Sequence, residues 1–441
     1  MASIRLNSGI IALTAVLVTI SVLAGQERIG SAREPLPPKL TVDLIAFVDT
    51  EARIQLVNPD GTEPRLLTPM SGSDQQLFAW PTWSPSGRRL VYTEVKEVPG
   101  STPLMLLEML DVVSGDSVVL HSAEAAGIAA GVFHYAMWSP DGERLAFIAS
   151  QSGNLGLFID TVDDEHPPGR VLENGPLWMS WSSDSQHLLA HRADSHFLLN
   201  ALPEAVEVRS LGIRSTGYRV PAWQPGTSEA TVLAQGQDGD FSLFSAEVTV
   251  DGLSGTEHIA DVDSDATFLW SPDGERIAVG GPKAALQYLG LVVGVHSGLT
   301  VYRGGTDEKE PMQIRDAVIS YFWSPDSSKI AYVSPASTNS VLRWTMFDVS
   351  DGSRWPLVDF VPTIDQLTLF QFFDQYAYSH SLWSPNSRTL VFAGLLYDEA
   401  VSASYSSGQT DEQPQIYVMD SDPSPPVQSI AEGNLGIWSP R

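Results

Sequence analysis

One five-residue phrase returns through this chain and limits its fold more than any other feature. It reads Trp83-Ser84-Pro85-Ser86-Gly87, Trp138-Ser139-Pro140-Asp141-Gly142, Trp270-Ser271-Pro272-Asp273-Gly274, Trp323-Ser324-Pro325-Asp326, Trp383-Ser384-Pro385-Asn386 and Trp438-Ser439-Pro440. Two degenerate copies, Trp181-Ser182-Ser183-Asp184 and Trp223-Gln224-Pro225-Gly226, keep the register. The Trp-to-Trp spacings are 55, 43, 42, 47, 53, 60 and 55 residues. A period of that size means an array of like units, so the length of 441 residues does not divide into ordinary domains.

Each copy has one physical grammar. Pro fixes φ and ends a strand, and Asp-Gly or a relative makes a tight turn. A short apolar strand follows, as in Leu145-Ala146-Phe147-Ile148 or Ile330-Ala331-Tyr332-Val333. A third strand, a second turn such as Ser350-Asp351-Gly352, and a fourth strand complete the unit. Short strands and turns at fixed intervals predict four-stranded blades of a β-propeller, here eight, with the repeat Trp packed between blades. The ends predict closure. Residues 44–68 supply three strands with no Trp-Ser-Pro before them, while the chain stops just after an innermost strand at Trp438. Pairing these ends would remove the open edges that invite aggregation.

The phrases resemble the TolB-type, WD40-like (PD40) propeller repeat family, whose pattern is Trp-Ser-Pro-Asp-Gly followed by an apolar strand. The resemblance covers essentially everything after residue 42 and implies the fold more than an activity. It departs from TolB itself, which carries a separate α/β domain before its propeller; residues 26–42 are too few to supply one. Eight-bladed propellers also accompany the hydrolase domain of dipeptidyl-peptidase-type enzymes. This sequence has no Gly-x-Ser-x-Gly nucleophile elbow, which speaks against that chemistry.

The N-terminus reads as an export segment. Arg5 precedes an uncharged apolar run from Gly9 to Ala24, which suits either a signal peptide spanning residues 1–25 or an uncleaved anchor. Residues 26–42 include Glu34-Pro35-Leu36-Pro37-Pro38, a stiff extended spacer. The propeller is expected over 43–441, outside the cytoplasmic membrane and touching a membrane only through the N-terminal segment. The chain has no Cys, 25 Lys+Arg and 53 Asp+Glu, for a net charge of −28. Disulfide, thiolate-metal and catalytic-Cys chemistries are excluded, and an acidic surface argues against a nucleic-acid partner.

Long segments gather on one face. They are Glu94–Pro103, Ser122–Phe133, Gly304–Ala317, Phe360–Ser379 and Tyr397–Pro414, all in connections that share one side of a propeller. That face is the expected binding face. Counting three places back from each repeat Trp should reach the channel mouth there. This gives Trp80, Tyr135, Trp178, Val220, Thr267, Ser320, His380 and Leu435, with His134, Tyr218, Arg219 and Tyr378 nearby. Aromatic planes with polar edges suit a sugar ring or a peptide side chain, against the alternative of ordinary packing at the funnel. The insertion Phe360–Ser379 carries six aromatic residues and reads as a packed lid or a partner-binding patch.

Other candidate chemistry is thin. Asp261, Asp263 and Asp265 alternate as in a calcium loop, but Ala266 stands where such a loop needs Gly and Pro272 where it needs Glu. His187 and His191 would share a strand face about 13 Å apart, too far for one ion, with His196 beyond. Gly304-Gly305 lacks the Lys-Ser/Thr pair of a phosphate loop. The reading is a non-catalytic binding propeller with no cofactor, calcium being the one candidate, that takes a protein or cell-envelope glycan on its long-loop face. The alternative is a polysaccharide lyase or hydrolase working at the channel mouth with His134, Arg219 and His380.

Overall fold

The structure is a computed structural model. It describes residues 43–68, 76–125, 135–162, 169–175, 177–201, 206–214, 220–236, 238–249, 252–288, 291–304, 310–336, 341–397 and 412–440. The N-terminal apolar run and the Pro-rich spacer lie outside them. Among the described residues no helix is long and apolar enough to cross a membrane.

The Trp-Ser-Pro phrase folds as its grammar demands. In the copy at Trp138, the Ser139 Oγ donates to Asp141 Oδ1 at 2.5 Å and accepts the Arg144 backbone N–H at 2.9 Å. Gly142, at φ +72°, donates its N–H to the Ser139 carbonyl. The same Ser hydroxyl bonds recur at Ser182, Ser271, Ser324 and Ser384. Where Ser replaces Gly, its hydroxyl reaches the neighbouring copy: Ser185, Ser327 and Ser387 accept the backbone N–H of Asp141, Asp273 and Asp326. These bonds set consecutive turns side by side.

Among the described residues, six four-stranded antiparallel sheets result, together with a seven-stranded sheet and a two-stranded hairpin. A representative sheet holds Tyr135–Trp138, Arg144–Gln151, Asn154–Thr161 and Gly169–Glu173, with Tyr135 opposite Ile148 and Trp138 opposite Leu145. Another is made from both ends of the chain. Leu435–Trp438 pairs with Ile45–Val48, Ile45 facing Trp438 and Val48 facing Leu435, and Ile54–Val57 and Arg65–Leu66 follow. The expected closure therefore forms, and the fold is an all-β propeller.

The core lies between successive sheets. One buried cluster joins Tyr135, Met137 and Ile148 to Leu177, Met179 and Leu188 of the next sheet. Another joins Ala46 and Ile437 of the closing sheet to Phe78, Trp83 and Leu90. The repeat indoles add a directional tie. Nε1 of Trp181, Trp223, Trp323 and Trp383 donates at 3.0–3.2 Å to the carbonyl of Met137, Ser180, Leu269 and Phe322, each one residue before the preceding repeat Trp. Trp270 uses the Thr231 hydroxyl instead, at 2.9 Å.

Two departures from the repeat matter for the site. The seven-stranded sheet runs from Ser320–Trp323 to Val427–Glu432, and its two parts meet through Phe360, Val361 and Pro362 opposite Leu396, Leu395 and Gly394. Gly394 permits that join, because a Cβ there would lie 2.3 Å from the Val361 carbonyl oxygen. The hairpin Lys283–Tyr288 and Leu291–His296 is an insertion between Arg276–Gly280 and Leu299–Arg303, where the repeat expects a plain connection.

Candidate binding site

The innermost strands bring the repeat Trp to one end of the channel and the residues three places earlier to the other. At the second end the insertion fills the space. Its first helix, α1 (Ile364–Gln371), starts at Thr363, whose Oγ1 accepts the Gln366 N–H at 3.1 Å and donates to the Asn434 carbonyl at 2.5 Å. Gln366 Oε1 in turn accepts the Ala393 N–H at 2.9 Å. Phe370 packs among Phe322, Trp344 and Phe360. The second helix, α2 (Phe373–Tyr376), is a single turn. Its Phe373 ring lies 4.6 Å from that of Tyr321.

Gln375 ties this turn to a distant sheet. Its Nε2 donates to the Met179 carbonyl at 3.1 Å, and its Oε1 accepts the Met179 N–H at 3.3 Å. Tyr135 OH donates to the Gln375 carbonyl at 3.0 Å and lies 3.1 Å from Ser379 Oγ. Burial pushes the Tyr135 phenol up to about 12. Tyr376 stacks on Trp80 with ring centres 4.6 Å apart and meets Tyr135 edge-on at 5.3 Å.

Trp80 reaches that stack through an unusual backbone. Its φ is +54°, a region costly for a bulky residue, at a register shift between Ala79 and Thr82. The bulge re-aims the indole toward the insertion. His380 closes the cluster: Nδ1 is 2.8 Å from Ser379 Oγ, Nε2 is 3.4 Å from Thr82 Oγ1, and the ring meets Trp80 edge-on at 5.8 Å. Burial lowers its pKa to about 3, so the imidazole is neutral near pH 7.

Four of the mouth residues expected from spacing thus border one plug: Trp80, Tyr135 and His380 touch it, and Tyr378 belongs to it. Tyr378 packs against apolar clusters from several sheets. Trp178 lies with its ring 5.9 Å from that of His191. Val220, Thr267, Ser320 and Leu435 are buried. His134, Tyr218 and Arg219 lie outside the described residues. The residues that spacing alone did not single out are Gln375, Tyr376 and Ser379; the aromatic richness of their segment was the available signal. Glu94, buried in a strand opposite Phe78, was also not singled out. Burial, then the neighbouring Glu108, raises its pKa, and it accepts from Gln76 Nε2 at 2.7 Å.

His191 and His196 stack with ring centres 4.4 Å apart, and burial followed by the charge of His191 lowers His196 to about 3. Asp261 is exposed and accepts from His258 and Ser242. Among the described residues no three His, Cys, Asp or Glu side chains gather as a metal site requires.

The opposite end of the channel is open. A cavity of about 580 Å³ is walled by Trp83, Trp138, Trp181, Trp223, Trp383 and Trp438, with the motif prolines beside them. Ala377, Tyr378 and Ser379 of the plug also line it, and among the described residues no charged side chain does. Trp181, Trp223 and Trp383 therefore have two roles, tying sheets together and lining this cavity.

No protein-family model matches the chain, and no curated protein matches its sequence. Solved structures do match in fold. A eukaryotic initiation factor aligns over 90% of this chain and 98% of its own, with 12% identity and a TM-score of 0.52. TolB from Acinetobacter baumannii aligns over 90% of this chain and 66% of its own, with 13% identity and a TM-score of 0.41. The β-propeller domain of the Trilobed protease from Pyrococcus furiosus aligns over 82% of this chain and 99% of its own, with 14% identity and a TM-score of 0.45. At such identities the likeness is one of fold.

Proposed function

We propose that this chain is an exported, non-catalytic propeller of eight blades that binds a protein or cell-envelope glycan through its long-loop face. The blade count follows from reading the seven-stranded sheet as two blades, the second completed by the bridge between Trp383 and Leu390, beside the six four-stranded sheets. The Gly9–Ala24 run supports export.

The observation that carries the binding reading is a set of exposed apolar side chains around the insertion. Ile364 is 51% exposed, Phe372 41% and Val292 53%. Gln371 Nε2 donates to the Val292 carbonyl at 3.4 Å, so the hairpin and the insertion present one surface. Apolar side chains left in water on a plugged, packed mouth suit a partner better than a catalytic funnel. His380, the one described member of the acid–base trio, has both ring nitrogens near hydroxyls and is sealed by the plug.

A photo-crosslinking residue in place of Phe372 should give discrete adducts in cells, whereas one in place of Val113, which is more exposed at 64% and lies in a turn on the other side, should not. Phe372→Ser together with Ile364→Ser should abolish partner or glycan retention at an unchanged melting point. Equal adducts from both positions, or retention by the double variant, would refute the reading.

A further inference from the structure

We propose that the Trp- and Pro-walled cavity at the turn end of the channel is a separate binding site, for a proline-rich segment of a partner protein in the polyproline II conformation. It lies at the opposite end from the surface around Phe372, so either site can fail without the other.

Charge is the first argument. The chain carries −28, yet among the described residues no charged side chain lines this cavity. Burying an ionised ligand group there would leave it uncompensated, so the site suits a neutral ligand.

Hydrogen-bond inventory is the second. The polar side-chain groups of the lining are indole N–H groups and the hydroxyls of Thr, Tyr and Ser, such as Thr82, Ser183 and Ser381. It holds no amide, carboxylate, imidazole or guanidinium. A buried glycan brings many hydroxyl donors and needs strong acceptors. A polyproline helix brings carbonyl oxygens and, at each Pro, no N–H at all. A wall of aromatic faces and hydroxyls without a strong acceptor matches the second ligand, as in other aromatic-lined grooves that take such helices. The volume is that of an ordinary ligand pocket.

The indoles themselves are the third argument. Five repeat Trp residues commit their N–H to the preceding sheet. The other three, Trp438, Trp83 and Trp138, have no hydrogen-bond partner for Nε1, and they are only 3%, 6% and 6% exposed. They are consecutive around the ring, because the sheet of Trp438 is the closing one, and all three line the cavity. Each ring packs in a buried apolar cluster, but no hydrogen bond holds its Nε1, so turning the donor toward a ligand would cost packing and not a hydrogen bond. A ligand carbonyl would then relieve a buried donor that otherwise costs about 1–3 kcal/mol unpaired.

The test titrates the full-length protein with decaproline, and separately with cellohexaose, by indole fluorescence and calorimetry. Decaproline should bind saturably and the hexasaccharide should not. Trp138→Phe keeps a ring but removes an uncommitted donor, and should weaken decaproline about fivefold. Trp181→Phe makes the same change where the N–H is already engaged, and should leave affinity within about twofold. Ser381→Arg, at an exposed rim position, should weaken binding about tenfold or more with an unchanged melting point. Saturable binding of cellohexaose alone, no binding of decaproline, or unchanged affinity in Ser381→Arg would each overturn the proposal.

Discussion

The two ends of the channel are lined by residues only three places apart on each innermost strand, and they differ in kind. At the plugged end, buried polar groups pair across the chain, Gln375 on Met179, Tyr135 on Gln375, His380 on Ser379 and Thr82, while Gln366 Nε2 and Ser320 Oγ stay buried without a partner. At the turn end, the repeated Trp and Pro leave an uncharged cavity and three unpaired donors. A repeat can only place like residues in a ring. The unlike ends come from one non-repeated insertion that enters the ring from one side.

The largest expected effect tests whether the plug is core. Trp80→Ala removes the indole that Tyr376 stacks on, and should cost about 3–5 kcal/mol in denaturant unfolding, as for other large buried aromatics. A loss below about 1 kcal/mol would mean the mouth is not packed and would erase the contrast between the ends.

Acid should expose the same contrast. His380 stays neutral when folded down to about pH 3, whereas the unfolded imidazole takes a proton near pH 6.5. The unfolded state then binds more protons below pH 6.5, so the stability present in full above that pH falls as pH drops toward 3. His380→Gln keeps a hydrogen-bonding side chain and should flatten the acid limb by an amount on the order of 2–3 kcal/mol at pH 4. Matching pH–stability profiles for the two proteins would show that the plugged end does not exclude water.

The turn end yields a smaller, sharper comparison. Trp181→Phe strands the Met137 carbonyl and should cost about 1–3 kcal/mol more than Trp138→Phe, which strands nothing on the neighbouring sheet. Equal losses in thermal melts would mean that the indole ties do not distinguish one side of the ring. The smallest effect is expected from a chelator. Neither end shows a gathered set of metal ligands among the described residues, so removing calcium should leave the midpoint unchanged.

Much of this was legible in the residues. Each Ser-Pro-Asp-Gly turn closes through bonds spanning at most five positions, so its shape follows from local chemistry. The join of Ile45–Val48 with Leu435–Trp438 was legible because each end held the strands the other lacked. Counting back from the repeat Trp reached Trp80, Tyr135 and His380, which lie against the insertion, since strand register transmits position faithfully. Their occupant was not. Gln375 meets Met179 across 196 residues, and no local pattern announces such a pairing. The hairpin that carries His296 under Thr267 was hidden for the same reason.

The sequence by itself determined the unit, its repetition, its turns and the closing of the ring, because these rest on backbone geometry and near neighbours. Tertiary structure decided which end of the channel is filled, how Trp80 is turned, and which indoles find a carbonyl. Those outcomes depend on where surfaces from distant sheets meet, and the competition between packing and unpaired polar groups is settled only there.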